Sequence, residues 1–179
     1  PYDFGFESAI PNNDWDVESP SGGAFWVKTS NAKYSGSSSA FLFNFNNAAG
    51  AVDELVSPSF DLSNMPGPLA SFQVAFAQKN ANNNDKLEVL VSSDCGKTWN
   101  LRYSRAGVVL KTSAPIGGSF SPTQNSQWRK EYVNLAPFAN SDNVILKFKF
   151  TSDGGNNVFI DDFNITALAA NIEENSALY

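Results

Sequence analysis

Histidine is absent from these 179 residues, cysteine and methionine occur once each, and lysine and arginine together number only 12. Without histidine there is no Ser-His-Asp triad, no imidazole zinc site and no access to the commonest general base. The lone Cys95 can form neither an internal disulfide nor a thiolate cluster, and no imidazole is present to activate it as a nucleophile. Twelve basic against 18 acidic side chains give a net charge of -6. That is no electrostatic footprint for nucleic acid or for an anionic membrane, and both partners are excluded. No apolar run approaches the ~18 residues of a membrane-spanning helix. The N-terminal PYDFGFES has neither the basic start nor the apolar stretch of a signal peptide and reads as a domain boundary.

Aromatic side chains are plentiful, with 15 Phe, 5 Tyr and 4 Trp in a chain long enough to bury one core. From residue 39 onward, short apolar-polar alternations recur: SAFLFNF (39–45), LASFQVAFA (69–77), KLEVLVSS (86–93), TWNLRYS (98–104), WRKEYVNL (128–135), NVILKFKF (143–150) and NVFIDDFNI (157–165). Period-two alternation predicts strands. The connections SNMPGP, NANNND, APIGG and SDGGNN carry the Pro, Gly and Asn chemistry of turns. Many short strands without a helical period imply an all-β, antiparallel two-sheet jelly-roll sandwich. In NVILKFKF, Val144, Leu146, Phe148 and Phe150 share one face while Lys147 and Lys149 share the other, so that strand is half-buried. The long segment 111–127 has no periodicity and reads as a functional or mobile loop. The tail from 167 to 179, rich in small and acidic residues, reads as a linker, which leaves 1–166 as the domain.

The stretch SSDCGKTW (92–99) fits the S-x-D-x-G-x-T-W pattern of the Asp-box found in sialidases. Its physics is that of a hairpin turn: Asp94 accepts from backbone N–H groups, Gly96 supplies a positive φ, and Trp99 covers the turn. A sialidase propeller repeats the box, whereas it occurs once here.

Two acidic positions stand out among apolar neighbours. Asp161 and Asp162 are adjacent in a strand and point to opposite faces, so one of them turns inward. Glu7 lies beside Phe4 and Phe6. A buried unpaired carboxylate is costly, so each needs a cation or several hydrogen bonds. First and last strands commonly lie side by side in jelly rolls, so Glu7 and one of the aspartates can meet there. Carbonyls of the SGSSS loop (35–39) and the Asp53 side chain can complete an oxygen shell suited to Ca²⁺. The alternative is that these acids are surface charges or are capped by Lys, Ser and backbone donors. The loop NANNND has a calcium-like composition but reads as a turn, and no EF-hand spacing is present. Trp15, Trp26, Trp99 and Trp128 are either core lids or a stacking platform for sugars. Trp26 and Tyr34, in loop-like surroundings, are the expected exposed ligand-binding pair. A glycosidase needs two carboxylates about 5 to 9.5 Å apart across a cleft, and nothing singles out such a pair.

As an ordered set, FES, YSGSSSAFLFNFN, VDELVSPSFDLS, LASFQVAFAQ, DKLEVLVSSDCGKTW, SQWRKEYVNLAPFA and GGNNVFIDDFNI resemble a bacterial module. It is the MAM-like jelly roll akin to the cleaved-adhesin domains of gingipains, which follows cytophagalysin-type, pappalysin-related metalloprotease domains in secreted proteins of Bacteroidetes. The resemblance implies a non-catalytic accessory or adhesion domain with structural calcium, matched at Glu7 and the Asp161/Asp162 pair. It further implies a secreted or cell-surface location, an extracellular protein or glycan as partner, and a catalytic domain elsewhere in the parent chain. The tail IEENSALY resembles the lead-in to a type IX secretion sorting domain. A carbohydrate-binding module using exposed aromatics is the alternative reading.

Overall fold

A computed structural model describes residues 1–168. Eleven strands form two antiparallel sheets: β1 (Tyr2–Phe4), β2 (Asp16–Glu18), β3 (Trp26–Thr29), β4 (Ser39–Leu42), β5 (Val52–Val56), β6 (Pro68–Phe76), β7 (Lys86–Ser92), β8 (Asn100–Ala106), β9 (Arg129–Asn134), β10 (Ile145–Thr151) and β11 (Val158–Ala167). One sheet runs β3-β4-β11-β6-β9, with β1 also on β11, and the other runs β2-β5-β10-β7-β8. This is the all-β, two-sheet sandwich that the alternation predicts.

The patterns explain the faces. In β10, Leu146, Phe148 and Phe150 are buried while Lys147 and Lys149 are not. Lys147 instead bonds Glu54 at 2.9 Å and lies 4.4 Å above the Trp99 ring, on the outer face of its sheet. Between the sheets, Trp15 is fully buried against Phe4 (5.4 Å), Phe6 (5.1 Å) and Phe163 (5.4 Å), so the N-terminal segment sends large rings into the core. Rings of this size bury 150 to 250 Å² each.

Four strands lie outside the predicted set: β1, β2, β3 and β5. β1 and β2 have only three residues each, too few for alternation to register, and β3 (WVKT) and β5 (VDELV) do not alternate. Ala167 still pairs with Pro68, so the last strand runs one residue past the expected domain end at 166. The linker expected over 167–179 otherwise falls almost entirely outside the described residues.

On one edge of β11, two strands share the pairing. β4 takes Val158–Ile160 and β1 takes Phe163–Ile165. Between them the register of β11 on β6 slips by one residue, and Asp162 adopts φ 45°. This β-bulge bends the strand and re-aims its side chains where the two acids lie.

Candidate functional site: a terminal clasp and an aromatic trough

The bulge places Asp161 and Asp162 against the loop between β3 and β4. Asp161 is fully buried, and its Oδ2 accepts from the N–H groups of Tyr34 (2.8 Å) and Ser35 (3.3 Å) while Oδ1 accepts from Asp162 N (2.8 Å). Burial nevertheless pushes its carboxyl up to about 6, the N–H donors offsetting only part of the desolvation. Asp162 points the other way and accepts the Ser35 hydroxyl at 2.6 Å. Glu7 reaches the same loop from beyond β1. Its carboxylate accepts from Ser37 N at 3.0 Å, from the Ser37 hydroxyl and from the Ser38 hydroxyl at 3.2 Å. These bonds, the Ser37 hydroxyl first, hold Glu7 down to about 2. Gly36 has φ 58°, and a Cβ there would fall 2.1 Å from Glu7 Oε1, so only glycine lets the carboxylate seat.

Glu7 and one of the two aspartates, Asp162, thus lie on a common surface, and the serine loop hydrogen-bonds both, while Asp161 holds the same loop from inside. Asp3, Gly5, Glu7, Ser35, Gly36, Asp162 and Asn164 line one open trough of about 440 Å³. Among the described residues no three acidic side chains converge closely enough to form a carboxylate cage. A cation here would draw on Glu7, Asp162 and the hydroxyl and carbonyl oxygens of residues 35–38. That donor set is all oxygen and carries two negative charges, which suits a hard ion such as Ca²⁺. Asp161, whose two oxygens already hold N–H groups, positions the loop. Asp53 does not join this group: it is buried in the other sheet, where Ser19 (2.7 Å) and Asn47 (2.9 Å) occupy its two oxygens.

The expected aromatic pair is also redistributed. Trp26 is fully buried, and its Nε1 donates to Asp53 O at 3.4 Å, so it is a core residue and presents nothing to a ligand. Its neighbours look loop-like in sequence, yet it opens β3 facing inward. Tyr34 is half-buried, edge-on to Trp128 at 6.2 Å, and lines a polar recess with residues 30–36 and 122–125.

The exposed aromatics lie on the outer face of the same sheet. Phe43 is 44% exposed and Phe41 half-exposed, and with buried Phe120 and Phe159 they line a trough of about 310 Å³. Thr29, Asn31, Ser119, Ser121 and Asn157 supply its hydroxyls and amides. Val27, paired with Phe41, and Phe25 extend this apolar surface toward the sheet edge. One wall is the segment 111–127, which is anchored. Asn156 bonds Phe120 N, Ile116 O and Gly118 O, and Asn157 Nδ2 donates to Ser119 Oγ and Phe120 O, all between 2.8 and 3.0 Å. The alternation of SAFLFNF carried this signal: Phe41 and Phe43 share a face opposite Ala40 and Leu42.

No protein-family model matches the chain, and no curated protein matches it. Solved structures do. The K1 cleaved adhesin domain of Lys-gingipain from Porphyromonas gingivalis W83 is similar with a TM-score of 0.67 and 22% identity, covering 93% of this chain and 98% of that one. TmCBM61, solved in complex with β-1,4-galactotriose, gives 0.55 and 16%, covering 92% and 94%. The C-terminal family 22 carbohydrate-binding module of Clostridium thermocellum Xyn10B gives 0.54 and 14%, covering 96% and 95%. The class is thereby fixed as a β-sandwich with the fold of adhesin and carbohydrate-binding domains. The particular likeness to the gingipain adhesin domain extends over nearly the whole of both chains.

Proposed function

We propose that this chain is a non-catalytic binding and adhesion module of a secreted or cell-surface protein, with the outer-face trough as its ligand surface and a glycan as the ligand class. The observation that carries this reading is the pairing of half-exposed Phe41 and exposed Phe43 with a rim of Thr29, Asn31, Ser119, Ser121 and Asn157. An aromatic floor with a few fixed hydroxyls and amides matches a sugar, which has apolar C–H faces and an equatorial ring of hydroxyls. The fold shared with the galactotriose-bound module and the family 22 module supports it. The likeness to the gingipain adhesin domain supports an adhesive role and an extracellular setting.

Calcium at Glu7 and Asp162 completes the proposal as a structural element. It would tie the start of the chain and the bulge of β11 to the serine loop, close to the β3–β4 edge that carries the trough. The MAM-like assignment, the metalloprotease in the parent chain and the type IX sorting segment rest on the motif resemblance and belong to the same proposal. A protein ligand is the second reading, favoured by exposed Phe25 and Val27, which add apolar surface outside the trough itself. A glycan and matrix-protein array probed with the parent chain and Phe43→Ala tests it. Sugar binding lost in the variant is expected. Matrix-protein binding without any glycan signal would replace the first reading with the second, and no binding at all would remove both.

A further inference from the structure

Asn44 follows β4, Asp85 precedes β7 and Gly155 precedes β11, which brings three loops together at the opposite end of β4 from the serine loop. Asn44 and Asp85 are both fully buried. Asp85 Oδ1 is saturated, accepting from Asn44 Nδ2 (2.9 Å), Asp153 N (2.9 Å) and Gly155 N (3.1 Å). Asn44 Nδ2 is saturated as well, donating also to Asn156 O at 3.1 Å. The remaining oxygen of each side chain, Asp85 Oδ2 and Asn44 Oδ1, is buried and meets no donor.

We propose that Asp85 Oδ2 and Asn44 Oδ1 are ligands of a buried calcium ion that joins these three loops, a site separate from the clasp at Glu7. A buried polar atom without a partner costs free energy, and two adjoining side chains share the defect. Three N–H donors on one carboxylate oxygen favour the anion. None of the ion pairs among the described residues involves Asp85, so its charge has no counter-ion. Burial pushes its carboxyl up, the cost that a bound cation would remove. The arrangement is that of metal ligands held in place by their other atom, with one atom of each side chain fixed by hydrogen bonds and its remaining oxygen bare. Both bare atoms are oxygens, which selects a hard cation, and the irregular Asn- and Gly-rich loops suit the flexible shell of Ca²⁺ better than the octahedron of Mg²⁺. Carbonyls of the loops and water supply the other ligands. A Cβ at residue 155 would fall 1.8 Å from Oδ2, so the glycine is what admits the carboxylate.

The test is calcium titration of the chelator-stripped parent chain, Asp85→Asn and Glu7→Gln, read by calorimetry and by amide NMR, with sodium and magnesium as controls. The parent should bind one calcium more than Asp85→Asn, whose site weakens by about 10- to 100-fold. In the parent, the amides of Asp153 and Gly155 and the Asn44 side-chain amide should shift with calcium, and they should still do so in Glu7→Gln. That last result separates the two sites: loss of the clasp reading alone leaves these shifts in place. If Asp85→Asn does not fold, the parent spectra decide. Shifts absent up to 10 mM calcium, or equal with sodium, overturn the proposal and leave water or a proton as the partner of these oxygens. Unchanged stoichiometry in a folded Asp85→Asn overturns it equally.

Discussion

The Ser92 hydroxyl donates to Asp94 Oδ1 at 2.7 Å and at the same time accepts the Gly96 amide at 2.9 Å, while Asp94 takes both the amide (2.9 Å) and the hydroxyl (2.6 Å) of Thr98. Cys95 and Gly96 turn the chain with φ of 58° and 79°, and Trp99 packs against Gly96. The Asp-box is thus a self-contained hairpin on the sheet opposite the trough. Asp94→Ala should lower the melting temperature by a few degrees and leave ligand binding intact. Lost binding at an unchanged melting temperature would assign the turn a direct role.

These bonds, the Thr98 hydroxyl first, hold Asp94 down to about 2. A depressed acid stabilises the fold above its ordinary value near 4 and loses that contribution as pH falls toward 2. Asp94→Asn should therefore flatten the acid limb of a denaturant-midpoint profile between pH 4 and 2. Parallel limbs in parent and variant would show that the group does not couple to folding.

Asp161 has the opposite sign. Its carboxyl rises from 3.8 to about 6 in the metal-free fold, so its contribution is complete below pH 4 and is lost as pH rises to 6. In EDTA, the stability of the parent relative to Asp161→Asn should fall across pH 4 to 6 and level off above. A difference independent of pH would contradict the burial of this acid.

Calcium at the clasp should stabilise the parent by mass action, about 1.4 kcal/mol when the ion is at tenfold its dissociation constant. Melting curves in EDTA and in calcium should separate for the parent, and the gap should shrink in Glu7→Gln and Asp162→Asn. Coincident parent curves, with no metal found by elemental analysis, would leave the serine hydroxyls as the sole partners of these acids.

Trp26→Ala and Phe43→Ala should part company. The first removes a buried ring and costs about 3–5 kcal/mol of stability. The second trims an exposed ring, barely moves the melting temperature and abolishes binding in the trough. Loss of binding by Trp26→Ala in a fully folded protein would reverse the assignment.

The hairpin and the clasp were legible because their signals are local. An Asp and a Gly two residues apart define a turn, and the adjacent acids of IDDF and the acid of FES each stand out among apolar neighbours. Seven strands were legible for the same reason, since apolar-polar alternation is read within a single segment. Trp26 was not, because β3 (WVKT) does not alternate and its burial follows from pairing with β4. Asp53 was misplaced because sheet membership is non-local: β5 pairs with β10, some ninety positions along the chain. Asn44 and Asp85 left no trace as a pair, since their loops are 41 residues apart and only the closed sandwich joins them.

The pairing of Tyr2 with Ile165 and of Phe4 with Phe163 has a mechanical consequence. Tension applied at residues 2 and 165 acts at the same end of an antiparallel ladder, so it peels β1 away one hydrogen bond at a time, whereas a shearing load would strain all of them together. Peeling a three-residue strand takes little force. The load then reaches Glu7, whose bonds to Ser37 and Ser38 tie the chain to the loop between β3 and β4, and the clasp sets the force at which the tethered sandwich begins to open.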